Sequence, residues 1–109
     1  NDIRRPMPRF APANLAANLK LLPPFNALAA EAGCTPSQLA LAWLLHRAPH
    51  IIPIPGTTST AHLREDLGAL QVQLGGELLA QLDALINTRT VAGARYAPQA
   101  TLEVDTEVC

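Results

Sequence analysis

The sequence predicts a mostly helical piece of a larger α/β fold built on a parallel sheet, and three observations carry that reading. The first is a single β-branched run, His50-Ile51-Ile52-Pro53-Ile54, bounded by Pro49 and by Pro55-Gly56. Such a short apolar run suits a strand buried in a parallel sheet. One strand cannot satisfy its own backbone N–H and C=O groups, so its neighbours are expected outside these 109 residues. The second is the stretch at residues 39–45, Leu-Ala-Leu-Ala-Trp-Leu-Leu. A helix apolar nearly all round must be covered on most sides. The third is the order strand, Gly turn, hydroxyl run, helix through residues 50–70, the junction of a βα unit.

Each element has a local cause. Residues 1–11 are basic and Pro-containing, with no apolar period, and read as an extended lead-in. Pro12 suits the first turn of a helix, and Leu15, Leu19 and Leu22 recur on one helical face. Pro23-Pro24 should stop or kink that helix, because proline removes a backbone donor and crowds the preceding turn. A second helical segment over 25–32 ends at Gly33, a suitable C-cap. Thr35-Pro36-Ser37-Gln38 then starts the apolar helix: Thr35 caps, Pro36 is preset for the first position, and Gln38 reaches back to the cap's N–H. This helix should run to about His46.

After the strand, whose Pro53 implies an incomplete ladder, Thr57-Thr58-Ser59-Thr60 supplies capping hydroxyls. Leu63, Leu67 and Leu70 mark a helix over about 60–70. Leu78, Leu79, Leu82, Leu85 and Ile86 mark another after Gly75-Gly76. Residues 87–109 show no sustained period and read as an irregular tail.

Composition narrows the function. The net charge is −1 and 16% of residues are charged, too little basic excess to neutralise a nucleic-acid backbone. No apolar run approaches the roughly 20 residues that span a bilayer, and there is no signal-peptide core. A soluble, cytoplasmic protein is expected, without membrane or nucleic-acid partners. Cys34 and Cys109 form neither a metal spacing nor a redox pair, and no His, Cys or carboxylate cluster has the spacing of metal ligands. His46 suits a helix C-terminus, where it complements the dipole, and His50 opens the strand. Met7 is the sole methionine and the sequence opens at Asn1, so a processed or truncated product is expected rather than a native start.

The stretch richest in chemistry runs from Ile51 to Leu67. A glycine lets a ligand approach the backbone, and the orphan N–H groups and positive dipole end of a helix attract an anion. By local chemistry alone, residues 57–60 fit either a phosphate site or a plain helix cap.

The strings themselves say more. I-P-I-P-G-T-T-S-T-A-H-L-R-E-D-L-G-A-L at 52–70 closely resembles the strand-8 to helix-8 segment of aldo-keto reductases, especially the bacterial and plant-type members. R-R-P-M-P-R-F at 4–10 resembles that family's loop into helix 7. G-C-T-P-S-Q-L-A-L-A-W-L-L at 33–45 resembles its G-x-T-P-x-Q-L-A-L-A-W-L-L helix, and V-A-G-A-R-Y at 91–96 its C-terminal loop. The resemblance implies the C-terminal part of a (β/α)8 TIM barrel, a fold that takes roughly 250 residues when complete. Residues 1–109 would then belong to a single barrel domain, with 87–109 as its tail.

The resemblance also implies an activity: reduction of aldehydes and ketones by hydride transfer from NADPH. Gly56, Thr57 and Thr58 fall where the family binds the adenosine 2′-phosphate, with Ser59 beside them. His62 stands where many relatives carry a longer basic side chain. Glu65 and Asp66 stand where the family places Glu and Asn on the ribose and adenine. The turn lacks the Lys or Arg of many relatives, so the resemblance implies NADP(H) without excluding NAD(H). Asp66 in place of Asn can only accept hydrogen bonds. The family's catalytic Tyr, Lys, Asp and His lie on earlier strands, so this stretch is expected to carry no catalytic residue. The isolated chain is expected to be inactive without the remainder of the barrel. Neither Lys20 nor Tyr96 can take a catalytic role.

Two departures concern the scaffold: Pro23-Pro24 interrupts a helix continuous in relatives, and Gly75-Gly76 replaces a Ser/Thr-Pro start. A non-catalytic barrel fragment, or a cofactor-binding regulatory or interaction module, is the alternative within the same fold. Residues 28–39 also imitate a helix-turn-helix. A recognition helix must show polar side chains to base edges, however, and this one is Leu, Ala and Trp before Arg47.

Overall fold

The computed structural model describes residues 2–104. Cys109 and the end of the tail lie outside the described residues. Among the described residues six α-helices occur in order: α1 (Pro12–Leu19), α2 (Leu22–Glu31), α3 (Pro36–Arg47), α4 (Thr60–Leu67), α5 (Gly76–Leu85) and α6 (Pro98–Thr101). The chain forms two compact units, one from Asn1–Leu22 with Ile86–Cys109 and one from Pro23–Leu85.

In the Pro23–Leu85 unit the helix boundaries follow from local chemistry. Helix α1 has ended by Lys20, and the two prolines occupy the first turn of α2, where an intrahelical N–H donor is not required. Helix α2 closes with a Schellman motif: Gly33 takes φ +68°, its N–H donates to the Ala30 carbonyl, and the Cys34 N–H donates to the Ala29 carbonyl. A residue with a Cβ would be strained at Gly33. Helix α3 starts with a complete capping box. The Gln38 N–H donates to Thr35 Oγ1 (3.2 Å), and the Thr35 N–H donates back to Gln38 Oε1 (3.1 Å).

The core of this unit gathers Ala29 from α2, Leu39 and Ala42 from α3, Leu74, and Leu82 from α5. Phe25, Trp43, Val72 and Leu78 pack around them. Leu39 is fully buried. At the rim, the Trp43 indole N–H donates to Asp83 Oδ1 (2.7 Å) and Arg47 to Asp83 Oδ2 (2.8 Å), with the guanidinium stacked on the indole. His46 accepts from the Leu74 N–H through Nε2 (3.4 Å), and its Nδ1 lies 2.8 Å from the Ala42 carbonyl. A ring protonated at Nδ1 satisfies both contacts.

Two expectations are corrected here. The strand over 50–54 is not formed: residues 51–57 carry neither helix nor ladder, and Ile52 and Ile54 are 82% and 93% exposed. Ladder bonds come from neighbouring strands, and the described residues contain none. Helix α3 is likewise covered on one side, not most: Ala40 is exposed, and Leu41 and Leu45 are half-buried along an open apolar groove of about 190 Å³. Ile52, Pro53, Leu63, Leu67 and Leu70 also line it. The apolar stripe predicted for the helix over 60–70 therefore faces this groove uncovered. That helix changes at Gly68 into a 3-10 turn, Gly68–Gln71.

The unit made from the two ends differs from an extended lead-in and an irregular tail. Residues 3–6 form turns that lead into a 3-10 turn, Pro8–Phe10, and Pro98 starts the short helix α6. The Asn18 side chain pairs with the Ala92 backbone in both directions, donating to its carbonyl (2.9 Å) and accepting from its N–H (2.7 Å). Arg9 donates to the Gly93 carbonyl (3.2 Å). Gly93 has φ +85° and lies against the Pro8 carbonyl, so a side chain there would meet both strain and backbone.

Candidate functional site

The site is assembled at the start of α4. Ser59 is the N-cap: the His62 N–H donates to its hydroxyl (3.3 Å). The Ser59 N–H in turn donates to Thr57 Oγ1 (3.0 Å). Two of the orphan donors of this helix are thus satisfied locally, while the amides of Thr60 and Ala61 have no earlier turn to accept from them. Those two N–H groups sit at the positive end of the helix dipole.

A polar concavity of about 230 Å³ opens beside this terminus. Ser37, Gly56, Thr57, His62, Glu65 and Asp66 line it. Five of the seven residues singled out in the sequence are therefore brought together: Gly56, Thr57, His62, Glu65 and Asp66. The other two are not part of the lining. Thr58 is exposed in the turn, and Ser59 is engaged in capping. Ser37 enters from α3 and was missed, because its place in the concavity depends on how α3 meets α4, a long-range feature with no local signal.

Gln38 makes that meeting. Besides closing the capping box, its Nε2 donates to the Glu65 carbonyl (2.8 Å), joining the start of α3 to the α4 turn that carries Glu65 and Asp66. Gly68 leaves room for this: a Cβ there would collide with the Gln38 amide nitrogen. At Gly56, by contrast, a Cβ would meet nothing within 4 Å, so space stands open above the backbone. Glu65 and Asp66 are half-buried. Asp66 lines both the polar concavity and the apolar groove.

Chemically, the concavity offers hydroxyls, carboxylate acceptors, one imidazole and backbone amides. That set suits a ligand bearing hydroxyls, an amino group and an anion. Among the described residues no group of three or more His, Cys, Asp or Glu could hold a metal ion. No helix among them is long and apolar enough to cross a membrane.

Comparison with known proteins adds the family. The sequence model described as "Aldo/keto reductase family" matches residues 1–87. The chain is similar to the protein named aldo-keto reductase yakc [NADP(+)] of Schizosaccharomyces pombe (strain 972), with 39% identity over 99 residues. The match covers 91% of this chain but 29% of that relative. With most of its length inside the family match, and the turn and helix of the site within it, the chain belongs to the aldo/keto reductase family.

Proposed function

We propose that this chain is the C-terminal part of a (β/α)8 barrel that reduces small aldehydes or ketones with NADP(H), and that the start of α4 clamps the adenosine end of the cofactor. The observation that carries the proposal is the concavity of Gly56, Thr57, His62, Glu65 and Asp66 beside the open amides of α4. In the complete barrel, residues 50–54 form a strand, and the apolar groove between α3 and α4 seats its neighbours. Residues 1–109 are then one piece of a single domain, with 87–109 its tail.

The residues present fit the adenosine end of a dinucleotide. Open space above Gly56 admits a ligand to the backbone. The amides of Thr60 and Ala61 with the helix dipole favour a phosphate, assisted by Thr57, Thr58 and His62. Glu65 and Asp66 accept from ribose hydroxyls and the adenine amino group. When bound, the dinucleotide supplies the hydride. This chain's part is to hold the far end of the cofactor in place, so that binding energy from a non-reacting portion is used for orientation. The half-buried free thiol of Cys34 suits a reducing, cytoplasmic setting.

The test is NADPH oxidation with a small aldehyde, followed by absorbance, in the complete barrel and in this chain alone. Turnover is expected in the first and none in the second. Turnover by the isolated chain, or a complete barrel that binds NADPH without turnover, contradicts the proposal. The second result points instead to a cofactor-binding regulatory module.

A further inference from the structure

The lead-in to α1 and the tail are joined by side chains that grip backbone, and none of them belongs to the cofactor site. We infer that Asn18 is a positioning residue: with Arg9 it latches residues 91–93 to the entry of α1, so that in the complete barrel the tail is a strap fixed at the edge of the substrate opening. That consequence rests on the barrel reading above.

Asn18 is an unfavourable choice for its helix. An Asn side chain competes for backbone hydrogen bonds, whereas its neighbours Ala16 and Ala17 are of the type that suits a helix interior best. Its amide instead bridges to the tail, donating to the Ala92 carbonyl (2.9 Å) and accepting from the Ala92 N–H (2.7 Å). That is the paired contact a neighbouring strand would make. Among side chains of this size only Asn holds a donor and an acceptor in one fixed fork. Both bonds fall on backbone, so they fix the tail without using its side chains. The same stretch is held a second time: Arg9 Nε donates to the Gly93 carbonyl (3.2 Å). Gly93, at φ +85°, passes against the Pro8 carbonyl and the Asn14 amide. Asn14 in turn donates to that carbonyl (2.9 Å), so the surface that receives Gly93 is itself held by α1.

Topology gives the latch its consequence. In a (β/α)8 barrel the segment entering a helix leaves the C-terminal end of a strand, and active sites are built on that face. The Pro8–Phe10 turn enters α1, so a tail pinned to it is carried to that face. Just past the latch, the guanidinium of exposed Arg95 lies 5.2 Å from the ring of half-buried Tyr96. A strap ordered before substrate arrives lowers the ordering cost of binding.

The test compares the complete barrel with its Asn18→Ala and Asn18→Asp variants. Alanine removes both contacts and suits α1; aspartate keeps an acceptor for the Ala92 N–H but sets a carboxylate against the Ala92 carbonyl. Tryptic cleavage after Arg95, followed by mass spectrometry, is expected to speed up roughly tenfold in both, the worth of one or two hydrogen bonds in the population of the open tail. The KM for a small aldehyde is expected to rise roughly threefold or more, as the ordering cost returns to the binding step, while the NADPH dissociation constant stays the same. Unchanged cleavage in both folded variants overturns the latch. Faster cleavage with unchanged KM overturns the positioning role, as does a joint loss of NADPH affinity, substrate affinity and unfolding midpoint, which marks Asn18 as scaffold only. A complete barrel with no turnover removes the reductase reading and the positioning role together, and the cleavage rates then still decide the latch.

Discussion

The starts of α3 and α4 face the same physical problem and answer it differently. Both have a hydroxyl N-cap, Thr35 and Ser59, accepting from the amide three residues on. At α3 the solution is nearly closed: Gln38 returns a bond to the cap's N–H, and Pro36 at the first helical position has no N–H to satisfy. At α4 the corresponding residue is Thr60, which keeps its amide; the next amide, Ser37 at α3 and Ala61 at α4, has no earlier turn to accept it in either helix. The closed end sits beside a buried core, with Leu39 one residue after Gln38. Both ends border the polar concavity, α3 through Ser37 and α4 through His62, Glu65 and Asp66. The two ends thus differ by the single amide that Pro36 lacks and Thr60 keeps.

The comparison can be broken from either side, and the largest effect belongs to the scaffold. Leu39→Ala removes the one large side chain fully buried among the described residues, and should cost about 3 kcal/mol in urea unfolding of the complete barrel. A loss below about 1 kcal/mol would mean that α3 is not the anchor. Gly68→Ala drives a methyl into the Gln38 amide, breaking its bond to the Glu65 carbonyl. It should cost about 1–2 kcal/mol by overpacking and also weaken nucleotide binding, because Ser37 and Glu65 then lose their common support. Thr35→Ala should cost about 1 kcal/mol, the usual worth of an N-cap, yet leave nucleotide affinity unchanged. An affinity loss there would erase the distinction between the two ends.

The smallest effect concerns Cys34, whose thiol is pushed above its ordinary pKa by burial. Its thiolate is therefore scarcer near neutral pH than that of an exposed peptide thiol, and the thiolate is the nucleophile. Iodoacetamide should modify Cys34 more slowly than a model peptide at pH 7.5, with the gap closing as pH rises above both values. Equal rates at pH 7.5 would place the thiol at the surface.

What was legible in the sequence is what neighbours within a few residues decide. The Thr35–Gln38 capping box and the Gly33 stop depend on contacts inside one turn, and their residue types announce them; the break expected at Pro23-Pro24 instead follows Leu19, with Leu22 and both prolines inside the start of α2. Most of the candidate site was legible through the family resemblance of the 52–70 string; local chemistry alone left residues 57–60 as either a cap or an anion site. What failed depends on distance. Residues 50–54 have the composition of a strand, but a ladder belongs to the neighbours, and the described residues provide none. Gln38 reaches Glu65 across 27 positions, and with that contact comes the membership of Ser37. Asn18 reaches Ala92 across 74. A lone Asn on a helix gives no warning that it will hold the backbone of a distant tail.

The central claim is that the open amides of α4 are there for the cofactor, and α3 supplies the tool to test it. Thr60→Pro copies the role of Pro36: it deletes one amide donor at the first helical position, where proline is favoured. The preceding Ser59 already has extended backbone, φ −107° and ψ 123°, compatible with a following proline. The complete barrel carrying Thr60→Pro should keep its unfolding midpoint, or raise it, while its affinity for NADPH by fluorescence titration falls roughly tenfold, one charge-assisted bond's worth. Unchanged affinity in a normally folded variant would show that the α4 terminus is a cap and nothing more.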